Sequence, residues 1–161
     1  MYLKKPAFWD YKGVSLWAIF LLPITIIYSF LFKIKKKISR EKKFKTKIIC
    51  IGNIYVGGTG KTPLADKVSS LLKKKYNTAI IKKKYKNQLD EILLLKKNNR
   101  VFISRSREHA IRKSIKKGFN CVILDDGLQD LGIKKNITIA CFSSDQGIGN
   151  GLVIPSGPLR E

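Results

Sequence analysis

The sequence predicts an α/β protein in which helices flank a parallel β-sheet, preceded by an apolar N-terminal helix. After residue 47, short apolar runs alternate with stretches of helical periodicity, a pattern typical of parallel sheets with right-handed crossovers. Before it, residues 14–32 contain no charged side chain. We therefore predict a membrane-associated helix with a basic linker over residues 1–46 and a single α/β domain over residues 47–161.

The N-terminal stretch VSLWAIFLLPITIIYSFLF has nineteen residues, which is long enough to cross a bilayer. Residues 33–47 follow it with nine basic side chains and one acidic side chain. Such a segment favours the cytoplasmic side and attracts anionic lipid head groups. The pattern indicates membrane attachment and leaves open whether the helix spans the bilayer or lies in its face. A buried core helix with a solvated basic tail is the alternative.

The remaining elements follow from local periodicity. β-Branched and apolar runs predict strands over residues 47–52, 77–81, 101–104, 120–125 and 137–142. Apolar residues at helical spacing predict helices over residues 62–75, 90–97 and 106–117. The alternation leaves no linker that would separate two globular domains.

Charge and cysteine usage restrict the partners and the cell compartment. The formal charge is +22, with 33 Lys and Arg against 11 Asp and Glu, which favours an anionic partner: nucleic acid, phospholipid or a phosphorylated substrate. The abundance of Lys, Ile and Asn also fits a compositional bias without function. Cys50, Cys121 and Cys141 lie far apart in apolar runs, so we expect small buried side chains in a reducing compartment and no metal site built from these cysteines and the single histidine.

A glycine-rich segment, IGNIYVGGTGKTP, joins the first predicted strand to the first predicted helix. It departs from G-x-x-x-x-G-K-[ST] because Tyr55 stands where the first glycine is expected. The strand–loop–helix context still predicts a phosphate-binding loop whose backbone N–H groups hold a nucleotide, and hence a P-loop NTPase-like fold. The predicted nucleotide cradle consists of Tyr55, Val56, Gly57, Gly58, Thr59, Gly60, Lys61 and Thr62.

A second motif supports this prediction. The strand VILDD ends in Asp125 and Asp126, and an apolar strand ending in aspartate commonly supplies the Mg²⁺ side of such folds. Lys61 is expected to reach the β and γ phosphates, and the Thr62 hydroxyl to ligate Mg²⁺. A glycine-rich turn with a chance lysine is the alternative.

Taken in order, the motifs CIGNIYVGGTGKTP, LDEILLL, ILDDGLQD and GNGLVIPSGPLRE resemble those of the tetraacyldisaccharide 4′-kinase family. The resemblance covers essentially the whole chain, and the family's loop also lacks the first glycine. It implies transfer of the γ-phosphate of ATP to the 4′-hydroxyl of a tetraacylated glucosamine disaccharide 1-phosphate, the lipid A precursor. The implied location is the cytoplasmic face of the bacterial inner membrane.

The resemblance also implies roles for individual residues. Lys61 would polarise the transferring phosphoryl group, and Thr62, Asp125 and Asp126 would organise Mg²⁺. Asp90 would act as the catalytic base near the sugar hydroxyl, a task that suits a carboxylate; a helix N-cap is its alternative role. Arg107 falls near a basic position that the family uses.

Several positions depart from the family pattern. KKKYKN, residues 82–87, replaces S-R-G-Y-G-G, and Leu89 replaces the glycine before Asp90. Asp130 stands where the family has histidine. The resemblance implies a second α/β lobe after residue 161, so a split enzyme completed by a second chain, a truncated remnant and an incomplete sequence all stay open. His109, on a predicted helix, is expected to be exposed.

The alternative functional class is a membrane-attached P-loop ATPase that acts on a nucleic acid or protein partner. The net charge supports this alternative, since lysine-rich surfaces bind phosphate backbones. However, the lysine runs lack interleaved aromatic residues and no recognised nucleic-acid motif occurs, so no specific nucleic acid is expected. A third reading, an inactive scaffold or nucleotide-binding remnant, predicts neither turnover nor strong ATP binding.

Overall fold

The computed structural model describes residues 5–11, 13–56, 60–85, 88–144 and 147–161. Contacts divide them into two compact units. The sheet unit comprises the described residues of 40–53 and 60–141, and the helix unit comprises those of 1–39, 54–59 and 142–161. The boundary after residue 46, which composition and charge predict, stays a prediction.

The sheet unit contains five parallel strands in the order β3-β2-β4-β1-β5. Their bounds are β1 Lys47–Gly52, β2 Thr78–Lys83, β3 Val101–Ser104, β4 Cys121–Asp125 and β5 Ile137–Ala140. β4 is paired on both sides, with Ile123 opposite Ile49 of β1 and Ile80 of β2. All five residues of β4 are buried, which agrees with its continuous apolar run.

Three helices cover the two faces of this sheet: α2 Lys61–Leu72, α3 Leu89–Asn98 and α4 Arg107–Lys116. Ala110 and Ile111 of α4 pack in one apolar cluster with the sheet, while Ala65 of α2 and Leu95 of α3 pack in a second cluster. Every strand and helix predicted between residues 47 and 161 is present, with its ends shifted by at most three residues. The α/β prediction is confirmed.

In the helix unit, α1 spans Leu16–Ile38 and is long and apolar enough to cross a membrane. Ser15 caps it by accepting a hydrogen bond from the Ala18 N–H at 3.1 Å. Most of its large apolar side chains are exposed: Leu16, Trp17, Ile19, Phe20, Ile24, Ile26, Ile27, Phe30, Leu31, Ile34 and Ile38. The alternative of a buried core helix is therefore not favoured within this unit, because such a helix would bury these side chains.

One polar stripe of α1 contacts the last segment of the chain, residues 142–161, inside the helix unit. The Ser156 N–H donates to the Thr25 hydroxyl at 3.1 Å, and the Tyr28 hydroxyl donates to the Arg160 carbonyl at 3.1 Å. The Trp9 indole, in a short 3₁₀ helix before α1, donates to the Pro155 carbonyl at 3.0 Å. These contacts join residues 9–28 to residues 155–160, two stretches that are far apart along the chain.

The three cysteines are free and buried, as the sequence predicts. Among the residues that the structure describes, no group of three His, Cys, Asp or Glu side chains is arranged to hold a metal ion by itself.

Replacing Ile123 by alanine should lower the free energy of unfolding by about 2–5 kcal/mol, because its side chain is fully buried and its loss leaves a cavity. Urea unfolding of the chain in detergent, followed by far-UV circular dichroism, measures this. Leu71→Ala in α2 is the control, since its side chain is 61% exposed and a change within about 0.5 kcal/mol is expected. Equal losses in both variants would contradict the core described above.

Burial raises the pKa of the Cys50 thiol to about 11. Between the ordinary thiol pKa of 9.0 and about 11, the folded chain keeps the Cys50 proton that the unfolded chain loses. The free energy of unfolding therefore falls across this pH range, and this stabilisation of the folded state is lost as pH rises through about 11. Near roughly pH 8 we expect iodoacetamide to leave Cys50 unmodified in the native chain and to label it in urea. Peptide mass spectrometry locates the label, and rapid labelling of Cys50 in the native chain would show the prediction to be wrong.

Candidate functional site

The candidate site lies in the sheet unit, at the carboxyl ends of its central strands. β2, β4 and β1 are neighbours in the sheet, and α2, α3 and α4 follow β1, β2 and β3 along the chain. In parallel sheets, these strand ends and the helix N-termini that follow them meet at one edge, which is where open α/β folds bind ligands.

Lys61 and Thr62 are the first two residues of α2. Gly60 precedes them with φ 68°, a left-handed conformation that favours glycine and turns the chain into the helix. The Lys61 ammonium lies 3.9 Å from the Asp126 carboxylate, and the Thr62 hydroxyl donates to Asp125 Oδ2 at 3.3 Å. Four residues predicted from two separate motifs are thus brought together.

Asp125 is the last residue of β4 and is only 1% exposed. Its Oδ2 accepts hydrogen bonds, whereas its Oδ1 is buried and has no hydrogen-bond partner among the described residues. Asp126 follows in a left-handed conformation, φ 57°, and its N–H donates to the Ile51 carbonyl of β1 at 2.8 Å. A buried carboxylate with an unused oxygen is suited to an additional ligand.

Lys82, near the end of β2, is a site residue that the sequence analysis did not identify. It is 3% exposed, and its ammonium donates to Asp125 Oδ2 at 2.5 Å and to Glu91 Oε2 at 2.6 Å. Burial lowers the pKa of Lys82, but the hydrogen bonds and charges of Asp125 and Glu91 outweigh burial and raise it. The sequence signal that could have indicated Lys82 is a run of lysines at the carboxyl end of a predicted strand.

Asp90 and Glu91 both lie in the first turn of α3. Glu91 turns toward the site, where it contacts Lys82 and lies 3.4 Å from the Thr62 hydroxyl. Asp90 is exposed and makes no hydrogen bond or ion pair within the described part of the chain. The structure therefore brings the neighbour of the predicted base into contact with the site, and the role of Asp90 stays a prediction.

Arg107, the first residue of α4, fixes the turn after β4. Its guanidinium donates to the carbonyls of Asp125 at 3.0 Å and Asp126 at 2.6 Å. It also forms an ion pair with Asp130. Because Arg107 is 6% exposed, it acts as a buried clamp on the backbone that carries both aspartates. His109, by contrast, is exposed on the same helix, as expected.

Tyr55 and Val56, predicted as part of the nucleotide cradle, belong to the helix unit. The Tyr55 hydroxyl donates to Asp10 at 2.6 Å and also contacts Lys5. Burial and the Asp10 hydrogen bond raise the pKa of Tyr55. The Val56 N–H donates to the Pro158 carbonyl at 2.9 Å. The cradle residues Gly57, Gly58 and Thr59 lie outside the described residues.

The donor set in the sheet unit fits a magnesium ion. Mg²⁺ binds oxygen ligands, commonly one or two carboxylates and the hydroxyl that follows a P-loop lysine. The Thr62 hydroxyl and the unpartnered Oδ1 of Asp125 meet this description, and Asp126 is adjacent in sequence. The N-terminus of α2 adds the partial positive charge that favours phosphate.

Comparison with known proteins now identifies the family. The family described as tetraacyldisaccharide-1-P 4′-kinase, LpxK, matches residues 17–161. The chain belongs to the LpxK family. A tetraacyldisaccharide 4′-kinase of Pelagibacter ubique is 49% identical over 162 residues, covering 100% of this chain and 51% of the relative.

A second relative and a solved structure of this family also match the chain. A tetraacyldisaccharide 4′-kinase of Rickettsia africae is 32% identical over 176 residues, covering 99% of this chain and 54% of the relative. The crystal structure of LpxK from Aquifex aeolicus in complex with ATP superimposes with a TM-score of 0.71 at 23% identity, covering 89% of this chain and 54% of that chain. That likeness confirms the fold. The chain spans about half the length of the curated relatives it matches.

Replacing Arg107 by methionine should lower the free energy of unfolding by about 3 kcal/mol, because it removes a buried charge that Asp130 and two carbonyls depend on. Urea unfolding monitored by circular dichroism measures the loss. Arg105→Met is the matched control, since Arg105 is exposed just before α4 and should change stability by about 0.5 kcal/mol or less. A loss no larger than that of Arg105→Met would contradict the clamp.

Proposed function

We propose that the protein binds Mg²⁺ and ATP at this edge of the sheet and serves the 4′-phosphorylation of tetraacyldisaccharide 1-phosphate in lipid A synthesis. The observation that carries the proposal is the convergence of Lys61 and Thr62 on Asp125 and Asp126. Membership of the LpxK family supports the substrate. Relatives that carry the kinase name, and an ATP-bound LpxK structure, support the reaction.

Each residue of the site has a task in this proposal. The backbone N–H groups at the start of α2 bind phosphate oxygens, aided by the helix dipole. Lys61 neutralises and orients the phosphoryl group that is transferred. Thr62, Asp125 and Asp126 hold the magnesium ion. When bound, that ion neutralises charge on the β and γ phosphates.

The transfer itself forms one bond and breaks another. The oxygen of the 4′-hydroxyl bonds to the γ-phosphorus, and the bond from that phosphorus to the β–γ bridging oxygen breaks, leaving ADP. The hydroxyl proton passes to a carboxylate, which we assign to Asp90 on the basis of the family motif. Its exposed position at the start of α3 leaves that carboxylate open to a substrate.

The substrate carries several acyl chains, so we also propose that the protein works at a membrane. The exposed apolar side chains of α1 support this, since a large contiguous apolar surface marks a membrane or protein contact. The basic residues 33–47 favour anionic lipid and the cytoplasmic face. The inner membrane is then the expected location.

A binding measurement and a transfer measurement test the proposal separately. The purified chain in detergent is titrated with ATP and Mg²⁺ by calorimetry, and transfer of radiolabelled γ-phosphate to tetraacyldisaccharide 1-phosphate is followed by thin-layer chromatography. Lys61→Ala should weaken ATP binding by tenfold or more, as expected for losing a charged phosphate contact of about 1.5–3 kcal/mol. Lys67→Ala, an exposed lysine on the same helix, should not.

Transfer to the disaccharide lipid is expected, and Lys61→Ala and Asp90→Asn should each reduce it by at least about a hundredfold. ATP binding that responds equally to the two lysine variants would contradict the nucleotide site. The chain, alone or with a second chain that completes it, could bind ATP through Lys61 and yet phosphorylate only other lipids. That result would contradict the proposed substrate. A matched assay with plain anionic vesicles separates recognition of the substrate from general attraction to charge.

A further inference from the structure

Lys82 places a fixed positive charge inside the proposed metal site. Its ammonium lies 2.5 Å from Asp125 Oδ2 and 2.6 Å from Glu91 Oε2. The Thr62 hydroxyl lies 3.3 Å and 3.4 Å from the same two oxygens. A lysine and the proposed magnesium ligands are thus gathered around one pair of carboxylate oxygens.

The position of Lys82 follows from the sheet and not from a flexible surface chain. Lys82 and Asp125 are paired residues in the register of β2 and β4. Adjacent strands in a sheet lie about 4.8 Å apart, so the two side chains remain neighbours in any folded state of this sheet. Lys82 is also 3% exposed, so in this arrangement its ammonium is shielded from solvent.

We propose that Lys82 is a resident counter-ion of Asp125 that a divalent cation must displace. This inference rests on the proposed function, which assigns Thr62 and Asp125 to magnesium. In the absence of metal, Lys82 neutralises a buried carboxylate whose lone charge would be costly. When a divalent cation binds, two cations compete for one carboxylate, and their mutual repulsion weakens the affinity of the site.

Two other features at this edge agree with such competition. Asp125 Oδ1 has no hydrogen-bond partner in the described chain, so an incoming cation can first contact this oxygen, and its charge then repels the Lys82 ammonium from Oδ2. Glu91 is 47% exposed in its side chain and already bonds Lys82, so it can retain the ammonium after Asp125 is released. Lys82 therefore loses one carboxylate partner and keeps the other, so its charge stays partly compensated.

The test compares Mn²⁺ binding to the full chain and to Lys82→Met by electron paramagnetic resonance in detergent, with Mn²⁺ alone as the probe. Removal of an adjacent cation should tighten Mn²⁺ binding by about tenfold or more. Lys83→Met is the matched control, because it removes the same charge one residue along β2, where the ammonium lies over the Tyr85 ring. Its Mn²⁺ affinity should equal that of the unaltered chain.

A second measurement uses the unaltered chain and does not depend on the folding of a variant. Acetic anhydride modifies accessible lysines, and peptide mass spectrometry reports the acetylation rate of each. Saturating Mn²⁺ should increase acetylation of Lys82 several-fold and leave Lys83 unchanged. Continued protection of Lys82 while Mn²⁺ is bound would overturn displacement.

The outcomes separate this inference from the function on which it rests. Equal Mn²⁺ affinity in the unaltered chain and Lys82→Met leaves the metal site in place and overturns the role of Lys82. Absence of Mn²⁺ binding in both contradicts the metal site itself, and the inference with it. Weaker binding in Lys82→Met would show that the lysine supports the cation, which is the opposite of the proposal.

Discussion

The buried carboxylate of Asp125 is the constraint on which the functional edge of the sheet unit depends. A lone charge at 1% exposure is strongly unfavourable unless it is paired and hydrogen-bonded. Lys82 supplies the charge and Thr62 supplies a hydroxyl. Each partner comes from a different element, so the Asp125 side chain links β4 to β2 and to α2. Removal of Lys82 would leave Asp125 buried without a paired charge, whereas Lys82 would keep its ion pair with Glu91 if Asp125 were removed.

The parallel direction of the strands explains why these partners meet. Asp125 and Lys82 lie at the carboxyl ends of adjacent strands, and α2 begins after the next strand of the sheet. Arg107 then fixes the turn itself by binding the Asp125 and Asp126 carbonyls. With a left-handed Asp126 following a buried Asp125, this backbone needs such support, since a non-glycine residue rarely adopts that conformation unaided.

Much of this arrangement is readable from local sequence. The β-branched runs predict the strands, and the strand–loop–helix and strand–aspartate motifs identify Lys61, Thr62, Asp125 and Asp126. Local sequence does not show the order of the strands across the sheet. β2 pairs with β4 and not with β1, and only that pairing sets Lys82 beside Asp125. Periodicity within a strand carries no information about which strand lies next to it.

The choice between Asp90 and Glu91 shows a second limit of sequence. Consecutive helical residues point about 100° apart, so the direction of each carboxylate depends on how the preceding loop delivers the helix. The motif identifies the acidic pair, but the position of the helix decides that Glu91 contacts Lys82.

The net charge of +22 gives little information about this site. Three cationic and four anionic side chains meet there within the described sheet unit: Lys61, Lys82 and Arg107 with Asp125, Asp126, Glu91 and Asp130. A nearly balanced site cannot attract a nucleoside triphosphate by charge alone, and the N-terminus of α2 adds roughly half a positive charge. The proposed divalent cation would supply the positive charge that these side chains lack. Of the 33 Lys and Arg residues, the described part of the site contains these three, so the net charge mainly describes the rest of the chain.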